Sequence, residues 1–128
     1  MSWWKLEKEF RFEASHVLPN HNGKCARLHG HSWRMMVRFE GAALHDNGPE
    51  TGMLVDFARI KEFVQPVVDQ YLDHHHLNET TELVNPTSES LAAWVFEKVR
   101  SVLPDDLYSA FCGLRIEETC TSACEYQP

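Results

Sequence analysis

Apolar and charged residues alternate from Leu6 to His16. Leu6, Phe10, Phe12 and Ala14 share one parity, Glu7, Glu9, Arg11 and Glu13 take the other, and Lys8 is the exception. A period of two sends neighbouring side chains to opposite faces, so the segment predicts a strand with one face buried. A second alternation runs from His29 to Glu40, where Trp33, Met35, Val37 and Phe39 oppose Ser32, Arg34 and Arg38; Met36 is the misfit. The period then lengthens. Phe57, Ile60, Val64, Val67 and Tyr71 recur at three- and four-residue spacing behind Asp56, a good N-cap, and predict a helix. Pro66 inside it removes one backbone donor and predicts a kink. A second helix is expected to be capped within Asn85-Pro86-Thr87-Ser88, with Pro86 at its first position. Leu91, Val95, Val99 and Val102 form its apolar stripe, and Pro104 ends it. A third strand is expected from Ala110 to Glu118, and a short fourth to about Tyr126.

The order β-β-α-α-β-β, with hairpins at both ends, predicts an α+β fold: a four-stranded antiparallel sheet with two helices on one face. The connections Pro19 to Arg27 and Gly41 to Gly52 are too short to separate domains, so residues 1–128 read as one domain. Composition changes this picture only at the margins. A chain of 128 residues, 43% hydrophobic, buries roughly two thirds of its unfolded surface and needs no disulfide staples. Twelve basic against nineteen acidic residues, a net charge of −7, disfavours binding to nucleic acid or to anionic membranes. No apolar run approaches the ~20 residues of a membrane span. The opening segment has no apolar core of a signal peptide, so a soluble cytoplasmic chain is expected. In that compartment Cys25, Cys112, Cys120 and Cys124 suggest free thiols, a reactive thiol or a metal site rather than disulfides.

Parity places the chemistry. His29 and His31 share the odd parity of Trp33 to Phe39, and His16 shares the even parity of Phe10 to Ala14. Three imidazoles are therefore expected on the buried face at the ends of adjacent strands. One buried histidine is ordinarily a hydrogen-bonded core residue. A His-x-His strand with a third matching histidine points instead to a metal, and three imidazoles with an open fourth position suit catalytic Zn²⁺, although ligand type alone also admits other first-row metals. Cys25, four residues before His29, reads as a fourth ligand, as a reactive thiol beside the metal near Lys24 and Arg27, or as an inert loop residue. Asp73-His74-His75-His76 reads either as an acid/base pair, with a carboxylate orienting an imidazole, or as a polar helix end. Glu118 shares the inward parity of Leu114 and Ile116, and a buried carboxylate needs a partner: a ligand with adjacent N–H donors, or an arginine.

Several segments together resemble the 6-pyruvoyltetrahydropterin synthase superfamily across nearly the whole chain. They are Phe12-Glu13-Ala14-Ser15-His16, Cys25-Ala26-Arg27-Leu28-His29-Gly30-His31-Ser32, Gly52-Met53-Leu54-Val55-Asp56-Phe57, Leu72-Asp73-His74-His75-His76-Leu77-Asn78, Asn85-Pro86-Thr87-Ser88-Glu89 and Glu118-Thr119-Cys120-Thr121. The spacing Cys25-x-x-x-His29-Gly30-His31 resembles the branch that makes 6-carboxytetrahydropterin for queuosine (7-deazaguanine) rather than the pyruvoyl branch, in which five residues intervene; a further branch carries Glu in place of Cys25. The resemblance implies a tunnelling fold whose sheets join into an oligomeric barrel, a homohexamer of two trimers with active sites at subunit interfaces. It implies Zn²⁺ on His16, His29 and His31, with Cys25, Asp73 and His74 as the catalytic acid/base groups. It implies that Glu118 anchors the pterin's amino-pyrimidine edge and that Thr87 lies near the substrate. Lys24 and Arg27 are candidates for the triphosphate. The implied substrate is 7,8-dihydroneopterin triphosphate; the alternatives are the pyruvoyl reaction, or a module that binds zinc or pterin without turnover.

Overall fold

The structure, a computed structural model, describes all residues from Met1 to Pro128. Strands β1 (Trp4–His16) and β2 (His29–Gly41) form a long antiparallel hairpin whose register pairs Phe10 with Met35, Phe12 with Trp33, Ala14 with His31 and His16 with His29. Helix α1 (Phe57–Val67) leads through a π-helical turn (Val68–Leu72) to β3 (His75–His76) and the single turn α2 (Leu77–Thr80). Helix α3 (Ser88–Val102) and the short α4 (Asp105–Ala110) precede the hairpin β4 (Phe111–Thr119) and β5 (Ser122–Tyr126). The strand order is β3-β1-β2-β4-β5.

The α+β class and both hairpins match the expectation, but the sheet has five strands rather than four. The extra strand, β3, is two residues long and runs parallel to β1, pairing His75 with Ala14 and His76 with Ser15. So short a strand has no readable period, which is why the tetrad around Asp73 gave no strand signal. The two extra helical turns, α2 and α4, escape the pattern for the same reason.

Parity decides the core. Phe10, Phe12 and Ala14 of β1, Trp33, Met35, Val37 and Phe39 of β2, and Leu114 and Ile116 of β4 are buried together with Ile60, Val64, Leu91, Val95 and Val99 of the helices. The opposite sheet face carries charge: Arg34 pairs with Glu9 and Glu117, and Arg38 with Glu7 and Glu125. Met36 lies on this face, between Glu9 and Arg115, yet is buried. Its neighbours Arg34 and Arg38 have long aliphatic stems, which can cover apolar surface while the charged heads stay in water. Phe57 and Val102, expected in the helical stripes, lie at helix ends and are exposed.

One local expectation is corrected. Thr87, rather than a residue before Pro86, caps α3, accepting from the Ser90 N–H at 3.1 Å, and Pro86 stays outside the helix. Pro86 is thus free to present its carbonyl to the sheet. Helix α1 runs through Pro66, and the winding widens just beyond it, so that Asp73 N–H donates to Val68 O five residues back, at 2.8 Å. No helix is long and apolar enough to cross a membrane.

Candidate metal centre and active site

The β1–β2 register sets His16 directly opposite His29, and His31 two positions along the same face. Their rings close into a triangle with centroid separations of 4.6, 4.9 and 5.2 Å. Beneath them lies Trp33, edge-on to His16 and His31, its Nε1–H donating to Ala14 O at 3.1 Å. Backbone carbonyls orient two of the rings: His16 Nδ1 meets Pro86 O at 2.9 Å, and His29 Nδ1 meets Arg27 O at 2.7 Å. A carbonyl only accepts, so in both rings Nδ1 carries the proton and Nε2 presents its lone pair.

The Nε2 atoms of His16, His29 and His31 are all buried and none has a hydrogen-bond partner, and one ring nitrogen of each histidine lies within 4.8 Å of the others. Burial lowers the pKa of His16 and of His31 and keeps both rings neutral, against the opposing pull of Glu118. Three buried, unpartnered imidazole nitrogens gathered this closely are costly as a purely structural feature and suited to a divalent cation. The donor set therefore fits a metal ion such as zinc.

Glu118 reaches the cluster from β4 with the inward parity expected of it. Its carboxylate oxygens lie 3.9 Å from His16 Nε2 and 3.8 Å from His31 Nε2, and it accepts a 3.3 Å hydrogen bond from Ser88 Oγ. It pairs with no arginine; Glu117, on the outer face, takes Arg34 and Arg115. Ser88 went unnoticed in the sequence reading because its place in a capping segment already explained it. Thr87 lies next to it at the start of α3, its hydroxyl committed to the cap and to Ser90. Cys25 sits half-buried in a 3₁₀ turn (Lys24–Ala26), its carbonyl accepting from Leu18 N–H at 2.9 Å. Lys24 and Arg27 flank it, exposed and in no ion pair.

Asp73 and His74 come together at the edge of β1, where His74 lines an open cavity with Gly30, His31 and Ser32. Asp73 Oδ1 accepts from Glu13 N–H at 2.9 Å, and Oδ2 lies 2.9 Å from His74 Nδ1. The Glu13 N–H, with His74, holds the Asp73 carboxyl below the ordinary carboxylate range. His74 adopts φ 61°, which is sterically costly for a residue with a Cβ, and its ring is 79% exposed. No hydrogen bond joins this pair to Cys25 or to the three-histidine cluster within the chain. His75 Nε2 bonds Asp69 O, and His76 Nδ1 meets Ser15 Oγ, both at 3.0 Å.

A model of the family described as 6-pyruvoyl tetrahydropterin synthase matches residues 5–128. The chain belongs to that family. Among its relatives, a 6-carboxy-5,6,7,8-tetrahydropterin synthase of Synechocystis is 46% identical over 96% of this chain and 92% of its own length. The Haemophilus influenzae protein of the same name is 30% identical over 97% of this chain and 99% of its own. The solved structure of Caenorhabditis elegans 6-pyruvoyl tetrahydropterin synthase superposes with a TM-score of 0.85 at 28% identity, covering 100% of this chain and 97% of that one. At the level of the subunit, this chain therefore has the family's tunnelling fold.

Proposed function

We propose that this chain is a zinc-dependent 6-carboxy-5,6,7,8-tetrahydropterin synthase, a lyase of queuosine biosynthesis. Its reaction takes 7,8-dihydroneopterin triphosphate and one water to 6-carboxytetrahydropterin, acetaldehyde and triphosphate. The observation that carries the reading is the meeting of three unpartnered Nε2 atoms with a carboxylate free of arginine. The relatives bearing this activity's name and the three-residue gap between Cys25 and His29 support the choice of branch.

His16, His29 and His31 would hold Zn²⁺, which when bound supplies Lewis acidity toward the oxygens of the substrate side chain. Glu118 accepts from the adjacent N–H groups of the amino-pyrimidine edge and so fixes the ring beside the cluster, with Ser88 holding one carboxylate oxygen and Thr87 close by. Cys25 and the Asp73–His74 pair exchange the protons that the rearrangement moves between the side chain and the ring. Asp73 orients the His74 ring through its Nδ1 and leaves Nε2 for proton transfer. Lys24 and Arg27, both uncommitted, receive the triphosphate in an otherwise acidic molecule.

Asp73 and His74 make no hydrogen bond to the cluster in a single chain, and in this reading the complete site takes them from a neighbouring copy. The open sheet edges support assembly. The outer edge of β5 has no partner, and β1 is covered on one side only at Ala14 and Ser15, so each edge can pair with another copy. We place the chain, as one domain, in a cytoplasmic homohexameric barrel.

Mass spectrometry of the products tests the reading. Zinc-loaded protein given 7,8-dihydroneopterin triphosphate without reductant is expected to release carboxytetrahydropterin and acetaldehyde. A pyruvoyl product alone would move the chain to the other branch. Bound pterin without turnover would make it a binding module.

A further inference from the structure

Strand β1 ends at His16, and Val17 leaves the sheet with no strand partner. Both backbone groups of Val17 are nonetheless taken, and by one side chain. Asn78 Oδ1 accepts from Val17 N–H at 2.9 Å, and Asn78 Nδ2 donates to Val17 O at 2.8 Å. The amide thus stands in for a strand residue, extending the ladder that β3 begins at Ala14 and Ser15. The second Nδ2 hydrogen goes to Val84 O at 3.2 Å. Val84 lies two residues before Pro86, whose carbonyl receives His16 Nδ1–H. One side chain therefore grips the backbone next to a metal ligand and also the segment that supplies the ligand's orienting acceptor.

The chemistry admits few substitutes. The arrangement needs one acceptor and two donors on a short planar group; Asp has no donor, Ser and Thr have one, and Gln is a methylene longer. The amide orientation follows from its partners, because an N–H must meet Oδ1 and two carbonyls must meet Nδ2. Neighbouring Thr80 makes a useful contrast. Its hydroxyl bonds Tyr71 O at 2.6 Å, which ties down the same turn without reaching His16 or Pro86.

We infer that Asn78 is the positioning residue of the metal centre, holding His16 so that its Nε2 faces those of His29 and His31. The inference rests on the zinc reading of that cluster. Outer-shell partners of metal ligands commonly contribute about 10- to 100-fold in affinity, and Asn78 acts on both ends of one ligand's support.

The test is metal affinity, measured on the stripped full-length chain by zinc competition with a chromophoric chelator and by the visible spectrum of the Co²⁺ form. Asn78→Ala and Asn78→Asp are each expected to weaken zinc binding by about 10- to 100-fold and to alter the cobalt bands. Thr80→Val is expected to lower the melting temperature while keeping zinc affinity within about twofold of the unmodified chain, well inside that range. Folded Asn78 variants that bind zinc as tightly as Thr80→Val would overturn the inference. Should neither Asn78 variant fold, hydrogen exchange of the unmodified chain decides: Val17 N–H is expected to exchange far more slowly than the amides of the exposed residues Asn20 and Asn22, and equal rates would refute the bond. If the unmodified chain takes up no zinc, the metal reading fails first and carries this inference with it.

Discussion

Each histidine of the cluster is held by a different device: Pro86 O and Asn78 for His16, Arg27 O for His29, and Trp33 and Glu118 for His31. Parity placed all three on one face because it depends only on counting by twos along β1 and β2. Their carbonyl partners were not legible, since a backbone acceptor carries no sequence signal and Pro86 read as the first residue of a helix. Two outcomes belong at this scale. His29→Ala is expected to abolish stoichiometric zinc, as read by metal analysis, whereas Cys25→Ala is expected to keep the zinc and lose turnover by at least about 100-fold, within the range for a lost acid/base group. The second outcome concerns pH. Burial lowers the folded pKa of His16 and His31 below the unfolded value of about 6.5, so the unfolded chain binds protons that the folded chain refuses. Stability of the metal-free chain is then expected to fall as pH drops through that value and to be unaffected by these groups above it. Melting temperatures from about pH 7.5 to about pH 5.5 check this; a profile flat in that window would contradict it.

Among the elements, the long strands and the two main helices were readable because each repeats its period several times. What escaped was short or wound differently: β3, α2, α4 and the π-helical turn after Pro66. The π-helical turn, β3 and α2 place Asp73, His74 and Asn78, so the sequence motif carried their identity while the structure supplied their location. Helix α3 shows how one cap serves two ends. Thr87 satisfies the first turn, Ser88 follows it toward Glu118, and Pro86 remains free to face His16. Thr87→Ala is expected to destabilise the fold by about 1 kcal/mol, measured by urea unfolding. Turnover is expected to fall as well, since Ser88 and Pro86 flank the lost cap. A stability change without any change in turnover would confine Thr87 to capping.

For the molecule as a whole, one chain carries two separate groups of candidate chemistry: a cluster of metal-binding character on the buried face, and an Asp73–His74 pair on an exposed edge. Sequence order lists both, but no single-chain pattern carries the proposed meeting of two copies. Light scattering is expected to find six chains per particle. Mixing Cys25→Ala with His74→Ala subunits, after dissociation and reassembly, is expected to restore activity that neither has alone. Continued inactivity of the mixed particles would place the complete site within one chain.

The proposed activity depends on three imidazole nitrogens sharing one cation. Zinc K-edge X-ray absorption of the reloaded protein tests this most directly. The expected first shell contains three imidazole nitrogens at about 2.0–2.1 Å and an oxygen, with no sulfur. A sulfur scatterer at about 2.3 Å would make Cys25 a ligand and remove it from proton transfer. A shell without three imidazoles would contradict the site itself.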